Sequence, residues 1–309
     1  MSDTDSATLI GLAVADALGM PFETRLPTDP FLKAWDGHTY HPSGYHRLAP
    51  GQWTDDTMMS KLLAESLVSV GAYDPADVAD RYRRWYLGGD HRGMGKTTKV
   101  ALAALNNGSS WSGSGVEGAE GNGTAMRIAP LGLFYRNDLN LVCELALYDS
   151  RITHKSKEAG AGSKAIAIAI ALLATGCKKR ELVKIVPSYL PECEVKRGIQ
   201  KVEFYQEAGG IGIAEALSLL GTKAHVVDTV PSAIAAFVLT NSYQEAIESA
   251  IRAGGDTDTT AAVAGALAGT YYGLKGIPTE YLSKLEAAST LLSLDKKLKE
   301  RRAPVRIAV

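Results

Sequence analysis

The ten residues TAAVAGALAG at 260–269 carry almost no side-chain bulk, and they directly follow two aspartates, Asp256 and Asp258, set behind a Gly254-Gly255 pair. Alanine is the strongest helix former, and a helix sheathed in alanine and glycine lets neighbouring elements approach closely. Such a helix packs deep in a bundle and carries its acidic N-terminus inward. The chain around it has to accommodate buried carboxylates.

Helix chemistry recurs along the rest of the sequence. Asp74 before Pro75 is an N-cap followed by a first-turn proline, and ADVADRYRRWYL then repeats apolar residues at helical spacing. Further helices are predicted near 7–18, 55–70, 97–106, 124–136, 138–150, 157–175, 179–186, 195–207, 211–220, 231–239, 243–253, 259–272 and 278–300. AIAIAIA at 165–171 alternates like a strand, but it lies inside an alanine-rich run without turn signals and reads as helix. The expectation is an all-α protein. No internal repeat or linker is visible, so 1–309 is expected to be one domain, near the upper size for one. Residues 24–53, with Pro27, Pro30, Pro42 and Pro50, read as a long irregular loop of the kind that often serves as a lid.

The 33 basic and 34 acidic residues nearly balance, which gives no global field for nucleic acid or anionic lipid. Cys143, Cys177 and Cys193 form no CxxC pair and are odd in number, suiting a reducing compartment. The N-terminus lacks a basic leader, and its apolar run ATLIGLAVADALGM is interrupted by Asp16, arguing against a signal peptide or membrane span. A cytoplasmic protein is expected.

A second acidic cluster lies far upstream. GQWTDDTMM places Thr54, Asp55, Asp56 and Thr57 at the start of an amphipathic helix, as Asp256, Asp258 and Thr259 open theirs. Asp and Thr are ordinary caps that also complement the helix dipole. A cap, however, needs one oxygen, and each cluster offers two carboxylates and a hydroxyl. Two carboxylates about 5 Å apart repel by roughly 3 kcal/mol at an effective dielectric near 20, a cost that a cation between them removes. Aspartate and threonine oxygens are hard ligands, which favours Mg²⁺ or Mn²⁺ over zinc, and four carboxylates could hold two ions. The Gly-Gly pair frees the backbone to turn sharply, so that both acids of the i, i+2 pair point at one centre.

With both clusters in view, the sequence resembles the ADP-ribosylglycohydrolase family. The resemblance rests on GLAVADALGMPFE, WTDDTMM, GNGTAMRIAPLGL, RITHKSKEAGAGSKA, VVDTVPSAIAAF and AGGDTDTTAAVAGALAG, running in the family's order from residue 11 to about 273. It implies a compact, single-domain orthogonal helical bundle with a dinuclear Mg²⁺ site, and Thr54, Asp55, Asp56, Asp256, Asp258 and Thr259 as its ligands. Ala15 stands where the family usually has glycine before the first aspartate. Asp16, a lone acid in an apolar helix, reads as a structural carboxylate hydrogen-bonded to a neighbouring loop.

By the same resemblance Glu23 is a candidate for gating or acid/base work. Gly121, Asn122, Gly123 and Thr124 precede a helix, so their backbone N–H groups could hold a diphosphate. His154 stands where the family contacts ADP-ribose. His38, His41 and His46 lack cysteine partners and helical spacing, and they read as lid residues rather than a zinc site. Gly95-Lys96-Thr97 mimics the end of a Walker A loop, but Asp90 occupies the place of its first glycine and a helix precedes it. Asp90 is a further candidate base.

The expected chemistry is metal-assisted hydrolysis of the glycosidic bond at C1 of the distal ribose, with Asp55, Asp56, Glu23 and Asp90 open as proton-handling groups. The expected substrate is an ADP-ribosylated protein, with arginine as the first linkage and ADP-ribose as product. Alternatives are ADP-ribosyl-serine, a small ADP-ribose conjugate, a non-catalytic ADP-ribose-binding member of the fold, and a phosphohydrolase releasing AMP. A monomer without nucleic-acid or membrane partners is expected.

Overall fold

A computed structural model of the chain describes residues 7–301. At its centre the Thr8–Gly19 helix crosses the Thr257–Tyr272 helix, and their contact depends on the absence of side chains. A Cβ on Gly11 would lie 2.6 Å from the Gly265 carbonyl oxygen, and one on Gly265 would lie 2.5 Å from that of Gly11. Every residue of Thr8–Gly19 is buried. The small-residue helix is thus packed deep, with its acidic end at the same level as Gly19.

The Lys157–Ala174 helix forms a further part of the core. Residues 165–171, the alternating run, are helical and wholly buried, because neighbours on several sides cover the isoleucines that a helix fans around its axis. The Ala129–Phe134 helix lies close against it: a Cβ on Gly132 would stand 2.3 Å from the Ala167 carbonyl oxygen.

Two buried polar devices tie this core together. Ala7 gives the first helix no side-chain cap. Instead, the Asp295 carboxylate of the Ala288–Glu300 helix accepts Leu9 N–H at 2.8 Å and Ile10 N–H at 3.0 Å. Arg127 and Asp149 form a fully buried ion pair, Nε to Oδ2 at 2.8 Å. The same guanidinium donates to the Gly123 carbonyl and the Thr153 hydroxyl at 2.9 and 2.7 Å.

The all-α expectation is met, with several local differences. The helix expected at 124–136 begins only at Ala129, because Pro130 supplies a first turn and residues before it form turns on the Asn122 carbonyl. The helix expected at 231–239 starts earlier and runs Val226–Val238, with Pro231 inside it against Gly198. The segment 278–300 splits into Thr279–Lys284 and Ala288–Glu300, where Ala287 turns left-handed at φ 55. There Glu286 N–H donates to Gly51 and the Glu286 carbonyl accepts Trp53 Nε1–H, so tertiary bonds replace the helix. The loop at 24–53 contains one short helix, Pro30–Ala34, capped by Asp29. Among the described residues, strand structure is confined to Val116–Glu117 paired in parallel with His154–Lys155.

Candidate metal and active site

The two acidic clusters, some two hundred residues apart in sequence, meet at the N-termini of the Asp55–Val70 and Thr257–Tyr272 helices. Asp55, Asp56, Asp256, Asp258 and Thr259 line one cavity of about 220 Å³. The Thr259 hydroxyl donates to Asp56 Oδ1 at 3.4 Å, bridging the two helix ends. The turn that delivers Asp256 requires glycine. Gly254 and Gly255 have φ of 69 and 77, and a Cβ on Gly255 would stand 2.2 Å from the Thr222 carbonyl oxygen.

Burial pushes the Asp55 carboxyl up to about 7, reinforced by the charge of Asp16, and pushes Asp56 well above the usual range. Asp256 is raised by burial, and Asp258 is raised well above its ordinary value by burial and then by Glu23. Among the described residues, no lysine or arginine lies within ion-pair distance of these four acids; His46 alone approaches, at 3.9 Å from Asp258. Asp56 Oδ2 and Asp258 Oδ1 are buried without a hydrogen-bond partner. Unpaired buried carboxylate oxygens are costly, and together with Asp16 these two residues converge within 4.8 Å. That donor set fits a hard divalent cation.

Asp16 is fully buried behind the first cluster. It accepts the backbone N–H of Thr54 at 3.0 Å, the Thr54 hydroxyl at 3.0 Å and the Thr57 hydroxyl at 2.6 Å. Burial raises its pKa to about 6 against these bonds. It therefore fixes the start of the Asp55–Val70 helix, as a lone acid in an apolar helix suggested. The Thr54 hydroxyl also accepts the Asp56 N–H, so of the expected ligands Thr54 is the one already engaged as a cap.

Glu23 leaves the end of the first helix and its carboxylate binds the His46 imidazole. Burial lowers the His46 pKa, but the bond to and charge of Glu23, with the charges of Asp16 and Asp55, together outweigh it and the net shift is upward. His46 thus stands between Glu23 and Asp258. Nothing in the periodicity of HTYHPSGYH distinguishes it from His38 or His41. The contact depends on the turn that the Ser43–Leu48 bridge closes.

Two loop segments complete the cavity. Gly121, Asn122 and Gly123 line the cavity facing Gly95, Lys96, Thr97 and Thr98, at the N-terminus of the Lys96–Asn106 helix. The Lys96 segment, which fails the Walker A pattern, lines the site. Asn122 Nδ2–H donates to Asp256 Oδ2 at 2.5 Å and to the Thr229 hydroxyl at 2.9 Å, tying this wall to the acids. His154 supports the loop: its ring lies under Gly121 and Gly123, and Nδ1 meets the Thr153 hydroxyl at 2.8 Å. Burial, then Arg127, holds its pKa down to about 3, so the ring is neutral.

Two candidates stand apart. Asp90 is outside the cavity lining; its half-exposed carboxylate pairs with Arg92 at 2.7 Å, which lowers its pKa. Thr124 is buried, and its hydroxyl donates to the Ala159 carbonyl at 2.9 Å.

The family model described as ADP-ribosylglycohydrolase matches residues 6–306. This chain belongs to the ADP-ribosylglycohydrolase family. Over 97% of its length it is 32% identical to an ADP-ribosylarginine hydrolase, Tri1, of Pseudomonas putida strain GB-1, covering 78% of that protein. It is 28% identical to the ADP-ribosyl-[dinitrogen reductase] glycohydrolase of Rhodospirillum rubrum, covering 92% of this chain and 90% of the relative. A solved structure titled ADP-ribosylglycohydrolase-related protein complex superimposes with a TM-score of 0.80 at 32% identity, over 97% of this chain and 98% of the other.

Proposed function

We propose that this protein is a divalent-metal-dependent hydrolase that releases ADP-ribose from modified protein side chains, with arginine as the first linkage. The observation that carries the reading is the convergence of Asp55, Asp56, Asp256 and Asp258, buried and, among the described residues, without lysine or arginine counter-ions, with orphaned oxygens on Asp56 and Asp258. These four acids and Thr259, with Thr54 at the helix start, are the groups that would hold Mg²⁺ or Mn²⁺, as two ions. When bound, such ions supply Lewis acidity and a water of lowered pKa.

The chain's own residues do the rest. The Gly121–Gly123 loop and the first turn of the Lys96–Asn106 helix present N–H groups to a diphosphate, and Lys96 adds positive charge. His154 sets the loop from below, and Asn122 orients Asp256. Glu23, held by His46 beside Asp258, is placed to move a proton at the departing nitrogen or oxygen. Asp55 and Asp56 stabilise positive charge developing at the ribose. Asp90 and Thr124 support the loops on which they lie.

We read the chain as a single domain acting as a cytoplasmic monomer without a nucleic-acid partner. The near balance of 33 basic and 34 acidic residues supports the last point, and among the described residues no helix is long and apolar enough to cross a membrane.

The test is ADP-ribose release from an arginine-ADP-ribosylated protein, with Mg²⁺ and with chelator. Release that needs the metal supports the reading. Release from serine-linked substrate alone changes the linkage, and AMP as product contradicts the reading.

A further inference from the structure

A second cavity, about 720 Å³ and open to solvent, adjoins the first on the lid side. Its walls come from the chain leaving the first helix, through Arg25, Leu26 and Phe31, and from the turn carrying Ser43 and Tyr45. Glu23 is the only residue that lines both cavities. The lining mixes polar and apolar groups, and two of its apolar side chains stand out into solvent, Leu26 exposed by 69% and Tyr45 by 72%. Single exposed apolar side chains are ordinary, and here two of them line one cavity together with hydroxyls and a paired arginine, a mixture that suits a polypeptide.

The cavity is built rather than slack. Arg25 pairs with Asp29 at 2.9 Å and its guanidinium lies 4.9 Å from the centre of the Phe31 ring. The Ser43–Leu48 bridge fixes the opposite turn. Tyr45 packs edge-on against His46, ring centres 4.8 Å apart, and His46 binds Glu23. The rim is therefore linked by contact to the wall where the bond would break.

Resting on the hydrolase reading, we propose that this cavity receives the polypeptide segment flanking the ADP-ribosylated side chain. The bond to be cut joins two bodies. With ADP-ribose against the Gly121–Gly123 and Lys96 wall, the other body leaves the carboxylates past Glu23, and this cavity begins there. Its chemistry suits main chain rather than a second nucleotide. Thr24 and Thr28 offer hydroxyls beside Leu26 and Tyr45, and Arg25, the one lysine or arginine among its lining residues, is already paired with Asp29.

The experiment compares two substrates of the full-length enzyme: an arginine-ADP-ribosylated protein and free ADP-ribosyl-arginine. In a Leu26→Ser/Tyr45→Ala double variant, both positions being exposed, the ratio of kcat/KM for the protein to that for the small substrate should fall about tenfold. An unchanged ratio overturns the proposal. If both constants fall together the ratio is again unchanged, and Tyr45 acts through His46 and Glu23 rather than on the polypeptide, which also overturns the proposal. If the wild type cleaves neither substrate, the hydrolase reading itself falls and this proposal with it. Cleavage of the small substrate with no change of ratio leaves that reading standing and removes only the docking site.

Discussion

Gly19 lies so close to Asp258 that a Cβ on it would stand 2.8 Å from the Asp258 Cα and 2.6 Å from the Thr257 carbonyl oxygen. The first helix thus sets the position of an acid 239 residues later, as 258 minus 19 gives. In Gly19→Ala the Thr257–Tyr272 helix must shift at its acidic end. The expected result is a loss of about 1–3 kcal/mol in urea unfolding and a fall in turnover of about tenfold or more. Unchanged turnover with lowered stability would mean that Asp258 need not hold its place.

Arg127 joins the buried core to the cavity wall, through Asp149 on one side and Gly123 and Thr153 on the other. Arg127→Met leaves the Asp149 charge buried and uncompensated. It should destabilise the fold by about 3–5 kcal/mol, read by chemical denaturation. The double variant Arg127→Met/Asp149→Leu should recover much of that loss, because a buried ion pair contributes little beyond an apolar pair of similar size.

Asp295 gives a pH dependence of stability away from the site. Burial raises its pKa to about 7, against the bonds from Leu9 and Ile10, while an unfolded aspartate titrates near its ordinary 3.8. The folded state therefore binds the proton more tightly, and stability falls as pH rises from about 4 to about 7. An Asp295→Asn variant keeps an accepting oxygen and lacks the titration. Its stability relative to wild type should rise by up to a few kcal/mol across that window. Parallel stability curves for the two proteins would contradict this.

His46 holds Glu23 beside Asp258. His46→Asn is expected to lower kcat about tenfold with little change in the thermal midpoint, since His46 closes a loop rather than filling the core. His46→Gln, with a longer donor, should recover part of the rate. Loss of the fold in both variants, or full rate in both, would remove His46 from this role.

The fold was legible where local chemistry and burial agreed. The Gly-Gly turn, the small-residue helix and the two Asp-Thr clusters each carry their signal within a few residues, and the structure brings the clusters together. Asp16 was legible because a single charge among apolar residues must find partners, and Thr54 and Thr57 provide them. The misses are tertiary. Ala287 breaks a helix whose sequence does not ask for it, because Gly51 and Trp53 bind the Glu286 backbone. His46 looked like its two neighbouring histidines, since only the Ser43–Leu48 turn separates their fates. The motif test at Gly95-Lys96-Thr97 excludes a triphosphate loop and says nothing of which neighbours the segment meets; that it lines one cavity with Gly123 follows from how the loops fold together.

Four buried aspartates, Asp55, Asp56, Asp256 and Asp258, are proposed to hold the divalent cations. Calorimetric titration with Mg²⁺ and with Mn²⁺ of the wild type and of Asp258→Asn measures this without relying on turnover. Two ions per chain are expected in the wild type, with affinity reduced about a hundredfold or more in the variant. A wild type that binds neither ion, or a variant that binds them as tightly, would contradict it.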